Sequence, residues 1–408
     1  MGRVQAVGHL DADCFYVSAE RARDPVLIKK PVGVLGNQGA CVIAKSYEMK
    51  AAGVKTGMAI WAASRLCPEA IYVKRNFRWY EVLSRRMLAA VSQFSTCVEY
   101  YSIDEFFFSI SPRDGLSLQD TAVAIRDYIF KTIGVPVTVG IGRSRTLAKL
   151  ISDTAKPFGA LALTDAEAEQ ALLARTDVTE VSGIATRRAV RLAPYGISTC
   201  LDLARANRIR VRELLTRAGE ALWYELNGEP VVPLQTQRPP HQVLSRGGSL
   251  GGVTADPNRL WAWVVRNVER LVEELEFYVV HAGILSVYLL HHDGTEGLGQ
   301  VTLPGPTDRF DLLLESARFC FQRAHKGGRG VLRMHINASD LRRPGWVQVG
   351  LFDPPPEQAR AVAALKRTVN ARVGRFALRS GATLPLADVY QDEAQQYDIC
   401  DVRGKICF

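Results

Sequence analysis

Two adjacent acids interrupt an apolar run at residues 100–108, which read YYSIDEFFF. Asp104 and Glu105 stand between aromatic and aliphatic side chains in a pattern typical of a buried strand. An unpaired carboxylate in such surroundings costs several kcal/mol. The earlier strand-like stretch AVGHLDADCFYVSAE is interrupted in the same way, at Asp11 and Asp13. The first question is whether these two acidic segments meet in the fold.

If the acids of both segments lie in one cleft, they could form a metal-binding site. If the strand holding Asp11 lies beside the strand at Asp104 and Glu105, the three carboxylates repel, and a divalent cation is the usual remedy. Oxygen ligands without Cys or His favour Mg²⁺, and such a site suits two-metal phosphoryl transfer. The alternative is that each acid pairs with a nearby Arg or Lys. Two acidic interruptions in one domain favour the metal.

Composition limits the class of protein. The chain has 408 residues, 47% of them hydrophobic, which predicts about two to four domains. It has no apolar run of the ~18–20 residues that span a bilayer and no signal peptide, so we expect a cytoplasmic protein without a membrane partner. The eight cysteines form no CxxC pair, which favours reduced thiols over zinc. A net charge of +9 is compatible with a polyanionic partner.

Apolar periodicity indicates how the chain is organised. Residues 1–159 alternate short apolar runs with helical stripes, which predicts an α/β or α+β unit with a compact insertion at 31–75. Residues 177–235 are helical, basic and broken by glycines, and 231–242 form a linker. The predicted strands of the first unit are 4–12, 32–36, 41–45, 70–73, 97–102, 105–110 and 135–141.

The segment after the linker has the ferredoxin-like order β-α-β-β-α-β. One predicted helix begins at Pro257, with Asp256 as its N-cap, and the second lies near 308–325. The predicted strands lie near 242–250, 283–292, 298–303 and 330–338.

Basic residues that could bind phosphate lie in three places. A turn at Gly183, followed by arginines, could hold a phosphate on its backbone amides, and an ordinary helical hairpin is the alternative. The other candidates could equally be solvated surface charges; they are Lys45, Tyr47, Lys50, Lys55, Arg143, Arg145, Lys149 and Lys156.

Four motifs together resemble the Y-family translesion DNA polymerases: DADCFYVSAE, SYEMKAAGVKTGM, YSIDEFFF and VGIGRSRTLAKLISDTAKPFG, in this order. The later stretch VNARVGRFALRSGATLPL is more similar to the UmuC-type branch than to the DinB type. The resemblance implies a multidomain α+β right-hand fold. Its parts would be a palm at 1–30 and 78–170, small fingers at 31–77, a helix-hairpin-helix thumb at 171–235, a little finger at 241–353 and a tail at 354–408.

The resemblance also implies a catalytic centre. Asp11 and Asp104 would bridge two Mg²⁺ ions, for which Mn²⁺ can substitute, and Glu105 and the Ala12 carbonyl would complete the metal site. Asp13 matches an acidic position of the motif without a metal role.

Nucleotide contacts follow from the same resemblance. Tyr16 matches the steric gate that excludes a ribose 2′-hydroxyl, and Tyr47, Lys50 and Lys156 match contacts to the triphosphate. Many relatives have Arg where this chain has Lys50, which loses bidentate geometry.

Two further contacts are implied outside the catalytic centre. Gly183, Ile184 and Arg187 lie in VSGIATRR, which matches the DNA-binding turn of the thumb. The stretch QVGLF is similar to the peptide that docks bacterial polymerases in a sliding clamp, through Gln348, Leu351 and Phe352. The alternative is that QVGLF is the last strand of the little finger.

We therefore expect a template-directed DNA polymerase for translesion synthesis in DNA repair and the SOS response, without proofreading. Its partners would be primer–template DNA, deoxynucleoside triphosphates, a sliding clamp and mutagenesis accessory proteins. The main alternative is a catalytically silent DNA- and clamp-binding scaffold, and a nucleotidyl cyclase is a more distant one. Retention of Asp11, Asp104 and Glu105 argues against the scaffold, which has no electrostatic reason to keep three repelling acids.

Overall fold

The structure is a computed structural model that describes residues 6–36, 41–111, 116–237, 240–325, 327–344, 357–374 and 376–390. The described residues fall into two compact units, one within 6–237 and the other within 240–390. Among the described helices, none is both long and apolar enough to cross a membrane.

The first unit is built on a five-stranded sheet and a three-stranded sheet. Its strands are β1 Ala6–Ala12, β2 Val32–Leu35, β3 Val42–Lys45, β4 Ile71–Lys74, β5 Val98–Tyr100, β6 Glu105–Ile110, β7 Val137–Gly142 and β8 Ala160–Ala162. The larger sheet has the order β5-β6-β1-β7-β8, and the smaller has the order β3-β2-β4. Each of the seven strands predicted here overlaps one of β1 to β7. The short β8 was not predicted.

The helices of the first unit cover the sheets and continue into the helical segment before residue 235. They are α1 Phe15–Arg23, α2 Tyr47–Ala51, α3 Ile60–Leu66, α4 Phe77–Val91, α5 Leu118–Ile133, α6 Arg145–Ala155, α7 Ala166–Arg175, α8 Thr186–Leu192, α9 Cys200–Arg205 and α10 Arg208–Leu226, with non-helical backbone at Thr216.

The central strands of the larger sheet are covered on both faces. Phe106, Phe107 and Phe108 are consecutive and all buried, which is possible only when both faces of β6 are packed. On β7, a Cβ added at Gly140 would lie 2.4 Å from backbone atoms of Ala148 and Ser152. This glycine therefore allows α6 to lie close against the sheet, which brings the side chains of α6 to the end of β1.

The second unit confirms the predicted ferredoxin-like order. Its elements are β9 Val243–Thr254, α11 Pro257–Tyr278, β10 His281–His291, β11 Glu296–Thr307, α12 Phe310–Ala324 and β12 Val331–Arg342. The antiparallel sheet has the order β11-β10-β12-β9, and α11 and α12 pack on its buried face. Asp256 caps α11 as predicted, accepting a hydrogen bond from the amide of Asn258.

A C-terminal segment adds to the core of the second unit. It contains α13 Glu357–Val373 and α14 Ala387–Tyr390. Phe376 and Leu386 are buried with the side chains of α11. Glu269 of α11 accepts hydrogen bonds from Lys366 and from the Ser380 amide. Residues 376–390, which the sequence analysis placed in a tail, therefore belong to this core.

Packing of the C-terminal segment can be tested with two leucines two residues apart. Leu386 is fully buried, whereas Leu384 is 67% exposed. We expect Leu386→Ala to lower the free energy of unfolding by about 2–5 kcal/mol. Leu384→Ala should change it by less than about 0.5 kcal/mol. Chemical denaturation of the full chain measures both, and equal losses would show that the segment does not pack as described.

Candidate active site

Strand pairing brings the two acidic segments together. β1 lies between β6 and β7 and pairs antiparallel with both, with Asp11 directly opposite Glu105. Beyond this pair, the Ala12 amide donates to the Asp104 carbonyl at 2.9 Å. The acids of the two interrupted runs therefore lie side by side at one end of the central strands.

Two lysines, Lys149 of α6 and Lys156 immediately after its end, bond to Glu105 and Asp11. The Lys156 ammonium lies 2.7 Å from Asp11 Oδ2 and 2.9 Å from Asp153 Oδ1. Lys149 donates to Glu105 and lies 3.8 Å from Asp153 Oδ2. Lys149, Asp153 and Lys156 are spaced four and three residues apart, so their side chains lie on the same side at the end of α6. A lysine, an aspartate and a second lysine therefore lie beside the carboxylates.

The electrostatic balance leaves Asp11 difficult to ionise. Burial, helped by the charges of Glu105 and Asp104, raises the pKa of its carboxyl from 3.8 to about 8 against the opposing effect of Lys156. Burial opposes the charge of Lys156, but Asp11 and Asp153 outweigh burial and raise the pKa of this lysine. The electrostatic environment of the cleft therefore favours a bound positive charge.

His9 lies on the same face of β1 as Asp11. Its Nδ1 is 2.6 Å from the Ser152 hydroxyl, and its Nε2 is 4.0 Å from Glu105 Oε1. Burial, together with nearby Lys149, lowers the pKa of His9 well below its ordinary value. The imidazole is therefore neutral and adds no positive charge to the cleft.

A divalent cation suits the donors in this cleft. Asp11, Asp104, Glu105 and the Ala12 carbonyl offer only oxygen atoms, which Mg²⁺ and Mn²⁺ accept. The charges of Asp104 and Glu105 reach Asp11 strongly enough to raise its pKa. Within the described ranges, no group of three or more His, Cys, Asp or Glu side chains is already arranged to hold a metal. The donors fit a cation that replaces the two lysine ammonium groups.

Three of the predicted nucleotide-binding side chains make contacts within the first unit, and one of them, Lys156, reaches a cleft acid. Tyr16 stacks on Tyr80, with ring centroids 4.7 Å apart. The hydroxyl of Tyr47, at the start of α2, donates to Asp13 Oδ1 at 3.3 Å. Lys156 bonds to Asp11, as described above. The fourth, Lys50, is exposed on α2.

Other predicted phosphate ligands are occupied by structural contacts. Arg145 lies 2.8 Å from Glu99 and stacks over the Phe107 ring, with its guanidinium carbon 4.3 Å from the centroid. Arg143 bonds to the buried Glu169. These two arginines therefore hold the sheet and its helices together.

The predicted DNA-binding turn precedes α8. Gly183 has φ +97°, a conformation that favours glycine, and its carbonyl accepts from Arg188 at 2.6 Å. Ile184 is buried and Arg187 is exposed. The predicted clamp residues, Gln348, Leu351 and Phe352, lie outside the described residues.

Comparison with known proteins places this geometry in a family. The impB/mucB/samB family matches residues 10–153, and its C-terminal domain matches residues 241–351. DNA polymerase IV 1 of Bacillus subtilis is 30% identical over 393 residues, which cover 94% of each chain. The chain belongs to the Y-family of DNA polymerases. The predictions of this family and of a DNA-directed DNA polymerase are confirmed.

Relatives of two types match the Y-family chain. DNA polymerase IV of Bacillus velezensis is 29% identical over 94% of each chain. Protein UmuC of Salmonella typhimurium is 28% identical over 90% of this chain and 91% of that protein. The DNA polymerase IV relatives are slightly more identical to the chain than UmuC is, so the UmuC-like branch stays a prediction.

Solved structures support the Y-family fold. A Y-family DNA polymerase chimera of Dbh and Dpo4 aligns with a TM-score of 0.71 at 21% identity, covering 83% of this chain and 99% of that one. An insertion ternary complex of Dbh DNA polymerase aligns with a TM-score of 0.57 at 22% identity, over 83% of this chain and 99% of that one. The predicted multidomain α+β fold is confirmed.

Some residues at this site were not predicted from the sequence to belong to it. Asp153 had no role in the sequence analysis, yet it bonds to Lys156. Its helical spacing from Lys149 and Lys156 was an available signal. His9 could have been predicted to lie beside Asp11, because residues two apart on a strand face the same side of the sheet. Thr138, which donates to Asp13, carries no signal in the sequence.

Stability should depend on pH through Asp11. Its pKa is about 8 in the folded chain against 3.8 ordinarily, so between these values the unfolded chain binds fewer protons. The contribution of Asp11 to stability is therefore lost as pH rises through this window. We expect Asp11→Asn to raise Tm more at pH 9 than at pH 4, by roughly 2–4 °C per kcal/mol relieved.

Calorimetry with a chelator present measures this difference, because bound metal would mask it. Asp127→Asn, at an exposed acid on α5, is the control and should show no such pH trend. A Tm difference for Asp11→Asn that is constant from pH 4 to pH 9 would contradict the assignment.

Proposed function

We propose that this chain extends a primer 3′ end on damaged templates by metal-assisted nucleotidyl transfer at Asp11, Asp104 and Glu105. The observation that carries the proposal is the pairing of Asp11 with Glu105 across β1 and β6, with Asp104 adjoining. Family membership supplies the reaction class, and this cleft supplies acidic oxygen donors. Primer–template DNA and deoxynucleoside triphosphates are the substrates.

A divalent cation is the cofactor that both the family and the donor set imply. Two such ions, Mg²⁺ or Mn²⁺, would lower the pKa of the primer hydroxyl and neutralise charge on the triphosphate. Asp11, Asp104 and Glu105 would hold the cations, together with the Ala12 carbonyl. A bound divalent cation would lower the raised pKa of Asp11 and so favour its carboxylate form.

The incoming nucleotide would contact side chains from three elements around the cleft. Lys156 and Lys50 supply positive charge for the triphosphate, and the Tyr47 hydroxyl a hydrogen bond. Lys156 would then exchange Asp11 for a phosphate oxygen. The Tyr16 ring, held against Tyr80, would block a ribose 2′-hydroxyl.

Duplex contacts and protein partners belong to the same proposal. The amides around Gly183 and Ile184, with the exposed Arg187, suit a DNA phosphate rather than a base. The palm, fingers, thumb and little-finger boundaries remain predictions from the sequence. So do the clamp peptide, the accessory proteins and the lack of proofreading.

Primer extension by Asp104→Asn tests the proposed chemistry. Losing one carboxylate charge from the metal site should reduce the extension rate by about 10²–10⁴-fold, since several kcal/mol of transition-state stabilisation disappear. Fluorescence anisotropy should show nearly unchanged primer–template binding. Asp127→Asn, a change of the same kind at an exposed position, should extend normally.

The alternatives give different results in the same assay. A wild-type chain that binds DNA but makes no product with Mg²⁺ or Mn²⁺ would support the silent scaffold. Turnover of a nucleotide without template would support the cyclase. Extension by Asp104→Asn at the wild-type rate would remove this acid from the catalytic centre.

Sugar selection provides an independent test. Tyr16→Ala should improve ribonucleotide incorporation relative to deoxyribonucleotides by about 10- to 100-fold. The reason is that the clash between the Tyr16 ring and the ribose 2′-hydroxyl, an overpacking cost of about 1–3 kcal/mol, is removed. Tyr16→Phe keeps the ring and should keep the discrimination. Single-nucleotide insertion kinetics measure both variants, and unchanged selectivity in Tyr16→Ala would exclude it as the gate.

A further inference from the structure

Asp13 forms a buried junction between three segments of the first unit. Its side chain is only 2% exposed. Its carboxylate accepts hydrogen bonds from the Tyr47 hydroxyl at 3.3 Å, the Thr138 hydroxyl at 3.0 Å and the Phe158 amide at 2.7 Å. These donors come from α2, from β7 and from the loop after α6.

The main chain of Asp13 is fixed as well. Its amide donates to the Pro136 carbonyl at 2.9 Å, and its carbonyl accepts from the Ser18 hydroxyl at 2.5 Å. The next residue, Cys14, has φ +46° and is the N-cap of α1. The carboxylate is therefore held in place from both sides and can act as a rigid anchor.

Two of the three donor segments carry a candidate nucleotide ligand, and so does the helix that follows Asp13. Tyr47 is itself one, Lys156 lies two residues before Phe158, and Tyr16 lies three residues after Asp13 on α1. We propose that Asp13 is a positioning residue that sets the nucleotide pocket, because its carboxylate holds α2 and the loop after α6, together with β7, at the start of α1. This inference rests on the proposed function and gives Asp13 no part in metal binding.

The chemistry of the side chain explains why an acid suits this position. Three donors converge, and a carboxylate offers two acceptor oxygens with about four lone-pair sites. An Asn side chain has a single acceptor oxygen, and its amide group would face one of the donors. Asp13→Asn would therefore loosen one or more segments while keeping almost the same volume.

The nearby metal candidates are engaged differently. Lys156 bonds to Asp11 and Asp153, and Lys149 bonds to Glu105. Asp104, the third acid proposed to hold a cation, accepts from the Ser102 hydroxyl of its own turn. Asp13 differs from all three, because its carboxylate accepts from two hydroxyls and one amide that belong to three different segments.

Nucleotide-insertion kinetics of the full chain test the proposal. In Asp13→Asn we expect the nucleotide KM to rise by about 10- to 100-fold, with a smaller change in kcat, because misplaced ligands weaken binding. Discrimination against ribonucleotides should fall in parallel, while the Mg²⁺ concentration for half-maximal rate should not change. Thr138→Val, which removes one donor but no nucleotide ligand, should raise KM in the same direction by less.

A double-mutant cycle separates positioning from general stability. If Asp13 acts through Tyr47, the KM effects of Asp13→Asn and Tyr47→Phe should combine to less than their product. A lower Tm with wild-type nucleotide KM would overturn the proposal, and so would a shifted Mg²⁺ dependence. If Asp13→Asn does not fold, Thr138→Val and the double variant Thr138→Val/Tyr47→Phe are measured in its place. An unchanged nucleotide KM for Thr138→Val would then overturn the proposal.

Failure of the two proposals can be distinguished. A wild-type chain that makes no product would remove the proposed function, and the role of Asp13 with it. A wild-type chain that extends primers, beside an Asp13→Asn variant with the same KM and selectivity, would remove only the role of Asp13.

Discussion

The antiparallel pairing of β1 with β6 is the constraint on which the candidate active site depends. Its register places Asp11 opposite Glu105. A slip of one residue would turn every side chain of one strand to the opposite face. Phe106 and Phe108 lie opposite Leu10 and Gly8, and a Cβ at Gly8 would meet the Phe108 ring at 2.2 Å. Packing of the aromatic core therefore fixes the position of the acids.

Acids at the end of a buried strand need positive charge, and the fold provides it from one helix. Gly140 allows α6 to lie close against β7, and α6 brings Lys149 to the cleft, with Lys156 immediately after its end. The lysines balance carboxylates that would otherwise repel. The two ammonium groups supply the positive charge that a bound cation would supply in their place.

Several segments distant in the chain converge on this cleft, and Asp13 joins three of them through hydrogen bonds. The acids of one short sequence motif thus have different partners. Asp11 bonds to a lysine, while two residues later Asp13 accepts from neutral donors. The strand ends at Ala12, so the two side chains need not follow strand alternation, and each lies in its own surroundings.

The sequence by itself determined seven strands of the first unit, though not the short β8, as well as the ferredoxin-like order of the second unit and the family, because apolar periodicity and sequence motifs can be read without the fold. It also identified the acids, since charge in a buried strand is conspicuous. Only the tertiary structure decided that α6 pairs its lysines with Glu105 and Asp11, that Thr138 and Phe158 bond to Asp13, and that residues 376–390 pack on α11. These contacts join residues far apart in sequence, and their geometry depends on strand order and helix packing, which no local pattern encodes.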